Sequence, residues 1–192
     1  GDAEVEATRK ALGWSHPPFE SPEPIYAAWD ARAQGAEFES EWNQLLENYT
    51  ARFPEEAAEF QRRIKGELPA DWERKRDAVI TEVAEKAEKV ATRKASQNAL
   101  EAFGPLLPEL IGGSADLAPS TKTRLTFDGA GDFEPDNYAG RNLHFGVREH
   151  AMGAILNGMS LVKVRPCGSG FLIFSEYTRS TLRLSALMEL AV

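Results

Sequence analysis

The chain has 192 residues, with 30 acidic against 22 basic side chains and a formal charge of −8, which argues against a surface for nucleic acid or anionic membrane, since both are polyanions. Its composition, 42% hydrophobic and 27% charged, is that of a soluble globular protein able to bury a real core, and no segment is apolar enough to span a bilayer. The single cysteine, Cys167, excludes an intrachain disulfide and fits a reducing compartment, while the start Gly1-Asp2-Ala3-Glu4 carries neither an initiator methionine nor a signal-peptide pattern and reads as a fragment or processed chain.

The first half reads as surface helices. Residues 17–24 (PPFESPEP) hold four prolines and form an extended connector. A short helical pattern, IYAAWDARAQG, opens at Pro24-Ile25 and is expected to end at Gly35. From Glu39 to Phe53, Trp42, Leu45, Leu46 and Tyr49 recur at helical spacing. Pro54 suits a first helical position, and EEAAEFQRRIKG follows with acids early and bases late, as the helix dipole prefers. Asp71 is placed to cap a charged helix reaching about Lys89. No motif here carries chemistry; the segment reads as a charged helical linker packed on something larger.

The second half alternates helix and strand. Arg93–Phe103 is helical and stops at Gly104-Pro105. Glu109–Gly113 (ELIGG) is a short apolar run ending in two glycines, as expected of a buried strand meeting a loop. Residues 115–140, with DGAGD, are too long for a simple connection and read as functional or partly mobile. Asn142–Gly146 reads as a second strand, Glu149–Leu161 as a helix, Val162–Pro166 as a third strand and Phe171–Leu190 as a final helix. The alternation indicates α/β architecture with a parallel sheet, and the chain stops where a fourth strand is due.

Glu149 follows a strand-like run in HFGVREHAM and opens a helix, the address at which open parallel sheets keep their active sites. The plainer reading is a first-turn carboxylate that caps its helix. Ser114, Asp116 and Ser120 follow the ELI strand in GGSADLAPS, where small residues let a backbone approach a ligand and hydroxyls and amides can hold a phosphate; half of such loops are merely turns. Arg93 starts the preceding helix, and an arginine can grip a phosphate bidentately, although a lone one in this position is usually solvated. Phe171, Phe174 and Tyr177 recur every third residue on one side of a helix, a pattern more often core than cofactor site. No His, Cys or carboxylate spacing suggests a metal site.

Taken together, GDAEVEATRKALGW and PPFESPEPIYAAWD, ATRKASQNALEAFGPLLPELIGGSADLAPS, NLHFGVREHAMGAILNGMSL, and GFLIFSEYTRSTLRLSALM resemble, in this order, the transketolase family. The resemblance implies a partial thiamine-diphosphate-binding domain of the pyrimidine type behind a helical linker. Residues 1–66 would be the end of the diphosphate-binding domain with the connector, and 67–192 the N-terminal part of the pyrimidine-binding domain. It also implies transfer of a two-carbon ketol unit from a ketose phosphate to an aldose phosphate, as in the pentose phosphate pathway or the Calvin cycle, by a cytoplasmic homodimer using thiamine diphosphate and Mg²⁺. Glu149 matches the glutamate that hydrogen-bonds the aminopyrimidine ring and so activates the cofactor as a nucleophile. Phe171, Phe174 and Tyr177 match the aromatic pocket around that ring, Asp116 and Leu117 match residues beside the cofactor at the subunit interface, and Arg93 with Ser120 matches the pair that binds the sugar's terminal phosphate.

Residues 121–140 and the segment VKVRPCGSG depart from the commoner sequences of the family. Nothing matches the GDG...N motif that holds Mg²⁺ and the diphosphate, nor the histidines of the sugar channel, so those groups are expected from outside this chain. Dihydroxyacetone synthase and deoxyxylulose-phosphate synthase are neighbouring enzymatic readings, and the Arg93–Ser120 pair with GGSADLAPS favours transketolase over the second. A stand-alone, non-catalytic module that binds a partner through the pyrimidine-domain face is the reading from another class.

Overall fold

A computed structural model describes all residues from Gly1 to Val192. The chain divides into two compact units, residues 1–57 and 58–192.

The first unit is helical. Helix α1 (Asp2–Ala11) carries acids in its first turn and bases in its last, matching the dipole. After the proline-rich connector come α2 (Glu23–Trp29) and α3 (Arg32–Arg52). The expected stop at Gly35 is therefore wrong: the break falls at Asp30, and α3 runs through the glycine. The Asp30 carboxylate accepts hydrogen bonds from the Arg32 backbone N–H at 3.1 Å and from Arg32 Nε at 2.8 Å, and such local side-chain bonds end one helix and start another. An internal glycine costs only about 1 kcal/mol, too little to stop a 21-residue helix. No residue of α1–α3 is buried, so the stripe through Trp42, Leu45 and Tyr49 remains exposed.

Helix α4 (Pro54–Lys65) has proline at its first position, acids next and bases last, and ends at Gly66 with φ +75°. Helix α5 (Trp72–Lys86) is three residues shorter than expected, ending at a left-handed Ala87. Asp71 stands before it without capping a backbone N–H; its carboxylate instead receives Lys75 Nζ at 2.8 Å. Helix α6 (Thr92–Phe103) runs into a 3₁₀ turn over Gly104–Leu106.

Three parallel strands follow: β1 (Leu110–Ser114), β2 (Asn142–His144) and β3 (Arg165–Ser169), in the order β2-β1-β3. Helix α7 (Ala118–Thr121) lies between β1 and β2, and α8 (Glu149–Leu161) between β2 and β3. Strand β3 begins three residues later than expected because the chain must first turn off α8. The Val162 and Val164 N–H groups bond the Met159 carbonyl, and Lys163 takes φ +65°. The core joins Ala115, Phe145, Met152 and Leu156, with Leu143 and Met159 packed against it.

The glycine pair of β1 has a packing cause. A Cβ on Gly112 would lie 2.2 Å from the Cys167 carbonyl oxygen, and one on Gly113 would lie 1.8 Å from the Leu143 carbonyl oxygen. Both flanking strands thus demand glycine, whatever ligand lies beyond.

At the amino edge of the sheet, Glu109 is buried between Arg62 (3.0 Å) and Arg165 (3.1 Å). Burial pushes its carboxyl up, but the hydrogen bonds from Arg62 and Arg165 outweigh it and hold it below the usual carboxylate range. Arg62 also reaches Glu59 at 2.7 Å. The Arg141 guanidinium donates to the Leu110, Gly104 and Leu107 carbonyls at 2.7, 2.8 and 2.6 Å, tying the end of the long polar stretch to this edge.

The expected single helix over Phe171–Leu190 is instead a 3₁₀ segment, Leu172–Thr178, followed by α9 (Arg179–Leu187). Hydroxyls of Ser175, Thr178 and Thr181 each bond the carbonyl three residues back, at 2.7, 2.7 and 2.8 Å. These side-chain bonds engage the backbone locally and favour the tighter turn.

Candidate functional site

Because the strands are parallel and Ser114 aligns with both His144 and Ser169, the segments leaving β1, β2 and β3 emerge on one edge. Asp116, Glu149 and Phe171 belong to those three segments, at the carboxyl ends where ligands of open α/β sheets bind.

A cavity of about 380 Å³ opens beside the start of α8, lined by Glu149, Gly153, Leu156, Phe171, Phe174 and Thr181 among others. Glu149 is half-buried at the first position of α8. It makes no side-chain capping bond, while its charge in the first turn still suits the helix dipole. No other side chain offers it a hydrogen bond or ion pair, so both oxygens are free for a donor from outside the chain.

Phe171 and Phe174 of the aromatic row line the cavity, and Tyr177 continues the row outside that lining. A 3₁₀ helix has three residues per turn, so residues three apart superpose. Phe171 and Phe174 have ring centroids 6.5 Å apart, and Phe174 stacks on Tyr177 at 6.3 Å with 27° between planes. Phe171 and Tyr177 are 39% and 63% exposed, so the row is not core, contrary to the usual meaning of its spacing. Below it, α9 closes on α8 at Gly153, where a Cβ would meet Thr181 Oγ1 at 2.1 Å, and Asn157 Nδ2 donates to the Thr181 carbonyl at 3.0 Å. Sequence reasoning missed Gly153 and Thr181; the available signal was a glycine inside a helix, disfavoured unless something packs against it.

A second group gathers around α7. Arg93 Nη1 lies 3.4 Å from the Ser120 carbonyl oxygen, bringing together residues 27 apart in sequence. Both are exposed. Asp116, in the left-handed conformation at φ +69°, and the half-buried Leu117 lead from β1 into α7. No hydrogen bond or ion pair links the Arg93–Ser120 pair to Glu149.

The long polar stretch holds further residues that sequence reasoning left without a role. Asn142 is buried, and its side chain accepts from Leu125 N at 2.8 Å and donates to the Leu125 and Gly131 carbonyls at 3.0 and 2.8 Å. Asp132, the last residue of DGAGD, receives Arg124 at 2.7 Å and faces His144 Nε2 at 3.0 Å; Arg124 first and His144 second hold its carboxyl below the usual range. Burial pushes the Cys167 thiol up, despite the opposing charge of Arg141. No group of three or more His, Cys, Asp or Glu side chains is arranged to hold a metal ion, and no helix is long and apolar enough to cross a membrane.

Comparison with known families matches residues 88–192 to the transketolase pyrimidine binding domain and residues 1–69 to the transketolase thiamine diphosphate binding domain. Transketolase 1 of Vibrio parahaemolyticus is 50% identical over 191 residues, covering 99% of this chain and 28% of the relative. Transketolase 1 of Vibrio cholerae is 48% identical over 190 residues, with 98% and 28% covered. Among solved structures, transketolase from Leishmania mexicana superposes with a TM-score of 0.81 at 34% identity, covering 99% of this chain and 28% of the other. A Pichia stipitis transketolase in complex with sedoheptulose-7-phosphate gives 0.77 at 37%, covering 93% and 27%. The chain thus spans somewhat more than a quarter of the length of these relatives.

Proposed function

The chain belongs to the transketolase family, whose pyrimidine binding domain matches residues 88–192, and from that premise we propose that it supplies the pyrimidine end of a transketolase active site. The observation that carries the reading is Glu149: a carboxylate with no partner in the chain, at a helix start on the carboxyl edge of a parallel sheet, facing a cavity lined by Phe171 and Phe174.

These residues fit the group. A flat aminopyrimidine suits the row Phe171, Phe174 and Tyr177, since stacked rings favour offset aromatic contact, and a free carboxylate suits the protonated edge of a nitrogen heterocycle. Glu149 holds a proton at the ring nitrogen that it bonds, and the aromatic row excludes water from the ring's faces. Asp116 and Leu117 lie beside the cofactor at a subunit boundary. When bound, thiamine diphosphate supplies the carbon nucleophile that carries a two-carbon unit from a ketose phosphate to an aldose phosphate. Arg93 and the Ser120 segment receive the terminal phosphate of the sugar, the guanidinium contributing a charge-assisted contact.

The remaining parts of the reading concern the assembly. Mg²⁺ and the diphosphate are held by groups outside this chain, two subunits complete each site, and the enzyme is cytoplasmic. Residues 1–66 correspond to the end of the diphosphate-binding domain with its connector, and residues 67–192 to the first part of the pyrimidine-binding domain. The test is a segment-exchange enzyme, in which this chain replaces the matching stretch of the Vibrio parahaemolyticus relative. Turnover of xylulose 5-phosphate with ribose 5-phosphate, dependent on thiamine diphosphate and Mg²⁺, is the expected result. A folded exchange enzyme that binds the cofactor yet transfers no two-carbon unit would overturn the reading.

A further inference from the structure

We infer that Thr121 is a positioning residue for the phosphate end of the sugar site, acting through Ser120 and Arg93; this rests on the phosphate role proposed for that pair. Ser120 is itself exposed and sits in the last turn of the four-residue helix α7, too short to be rigid on its own hydrogen bonds. What fixes it is the next residue. Thr121 Oγ1 stands 2.9 Å from the Leu117 carbonyl, 2.9 Å from Thr123 Oγ1 and 3.4 Å from Ser114 Oγ. All three hydroxyl residues are buried, at 7%, 6% and 2% exposure for Thr121, Thr123 and Ser114.

Ser114 ends the central strand, so this hydroxyl chain fastens α7 to the middle of the sheet. Directly after Thr121 the backbone turns at Lys122, φ +62°, which leaves the Ser120 carbonyl without a helical partner. That carbonyl is the one Arg93 approaches at 3.4 Å. One buried hydroxyl therefore sets where Ser120 lies, and Ser120 sets where the guanidinium rests. The cofactor cavity at Glu149 is on other elements and shares none of these bonds.

The experiment is steady-state kinetics on the segment-exchange holoenzyme, with erythrose 4-phosphate and the unphosphorylated acceptor glycolaldehyde. Thr121→Val keeps the side-chain shape and removes the hydroxyl; Thr121→Ser restores it. A net hydrogen bond converts to about two- to tenfold in affinity, so Thr121→Val is expected to raise KM for erythrose 4-phosphate by that factor, move glycolaldehyde less than about twofold, and be rescued by Thr121→Ser. Thr123→Val reads the same chain from its other end if Thr121→Val yields no folded enzyme. Equal effects on both acceptors, or no rescue by serine, would overturn the inference. Arg93→Ala separates the two levels. If it discriminates between the acceptors and Thr121→Val does not, the positioning role fails and the phosphate site stands. If Arg93→Ala also fails to discriminate, the phosphate reading fails and takes this inference with it.

Discussion

Replacing Glu109 by alanine tests whether the amino edge of the sheet is held by charge. The side chain is 5% exposed and bonds Arg62 and Arg165 at 3.0 and 3.1 Å, joining the end of α4 to the starts of β1 and β3. Removing one member of a buried ion pair typically costs about 3–5 kcal/mol, because the remaining charge loses its compensation. Here both arginines keep other partners: Arg62 keeps Glu59, and Arg165 keeps the Gly66 carbonyl at 3.0 Å. The expected loss is therefore at the lower end, about 3 kcal/mol. For a chain of this length that corresponds to a fall in Tm of about 6–12 °C. Thermal unfolding of the 192-residue chain, followed by circular dichroism at neutral pH, measures it directly. A change under about 0.5 kcal/mol, the range of ordinary surface substitutions, would refute the view that this network holds the edge.

The same network predicts the acid limb of stability. Arg62, with Arg63, holds Glu59 down to about 2 from an ordinary value of 4.5; a depressed carboxyl stabilises the fold above its unfolded value and loses that contribution as pH falls towards its folded one. Stability should thus decline between pH 4.5 and about 2, and Glu59→Gln should flatten that decline; an unchanged acid limb in the variant would exclude Glu59 as a source. Gly112→Ala places a methyl 2.2 Å from the Cys167 carbonyl, and overpacking of this kind costs about 1–3 kcal/mol; an unaltered thermal midpoint would show that the strands can part. On the proposal that groups outside this chain hold Mg²⁺ and the diphosphate, titration of the 192-residue chain alone with thiamine diphosphate and Mg²⁺ should give feeble binding; micromolar affinity would contradict that proposal.

Much of the architecture could be read in the chain because the signals were local. Helix α8 begins and ends where its apolar spacing places it, and the alternation after residue 91 gave the parallel sheet. Two of the misreadings come from short-range side-chain bonds that no periodicity displays, and two others, the early end of α5 and the late start of β3, from left-handed backbone at Ala87 and Lys163. Asp30 splits a helix that Gly35 was expected to stop, and the hydroxyls of Ser175 and Thr178 bond within the 3₁₀ segment where one continuous helix was expected. The 3₁₀ geometry bears on the site, since a spacing of three superposes aromatics on a 3₁₀ helix and only approximately on an α-helix. The glycines of β1 were legible as a loop signal, yet their cause is the backbone of two neighbouring strands, visible only once β2 and β3 are in place. Arg93 and Ser120 were paired through resemblance alone, because nothing in their spacing brings a helix start to a turn 27 residues on. Thr121 and Asn142 carried no signal at all, being polar residues in a polar stretch.

The central claim is that Glu149 activates the cofactor, and the most direct measurement is Glu149→Gln in the segment-exchange enzyme, with turnover and thiamine diphosphate affinity determined side by side. Glutamine keeps the shape and a hydrogen-bonding oxygen but cannot hold the proton as a carboxylate does. The expected result is a fall in kcat of about 10²–10⁴-fold, the usual contribution of a positioned acid–base group, with cofactor affinity changed far less. Turnover within about twofold of the parent enzyme would remove Glu149 from the mechanism and contradict the account.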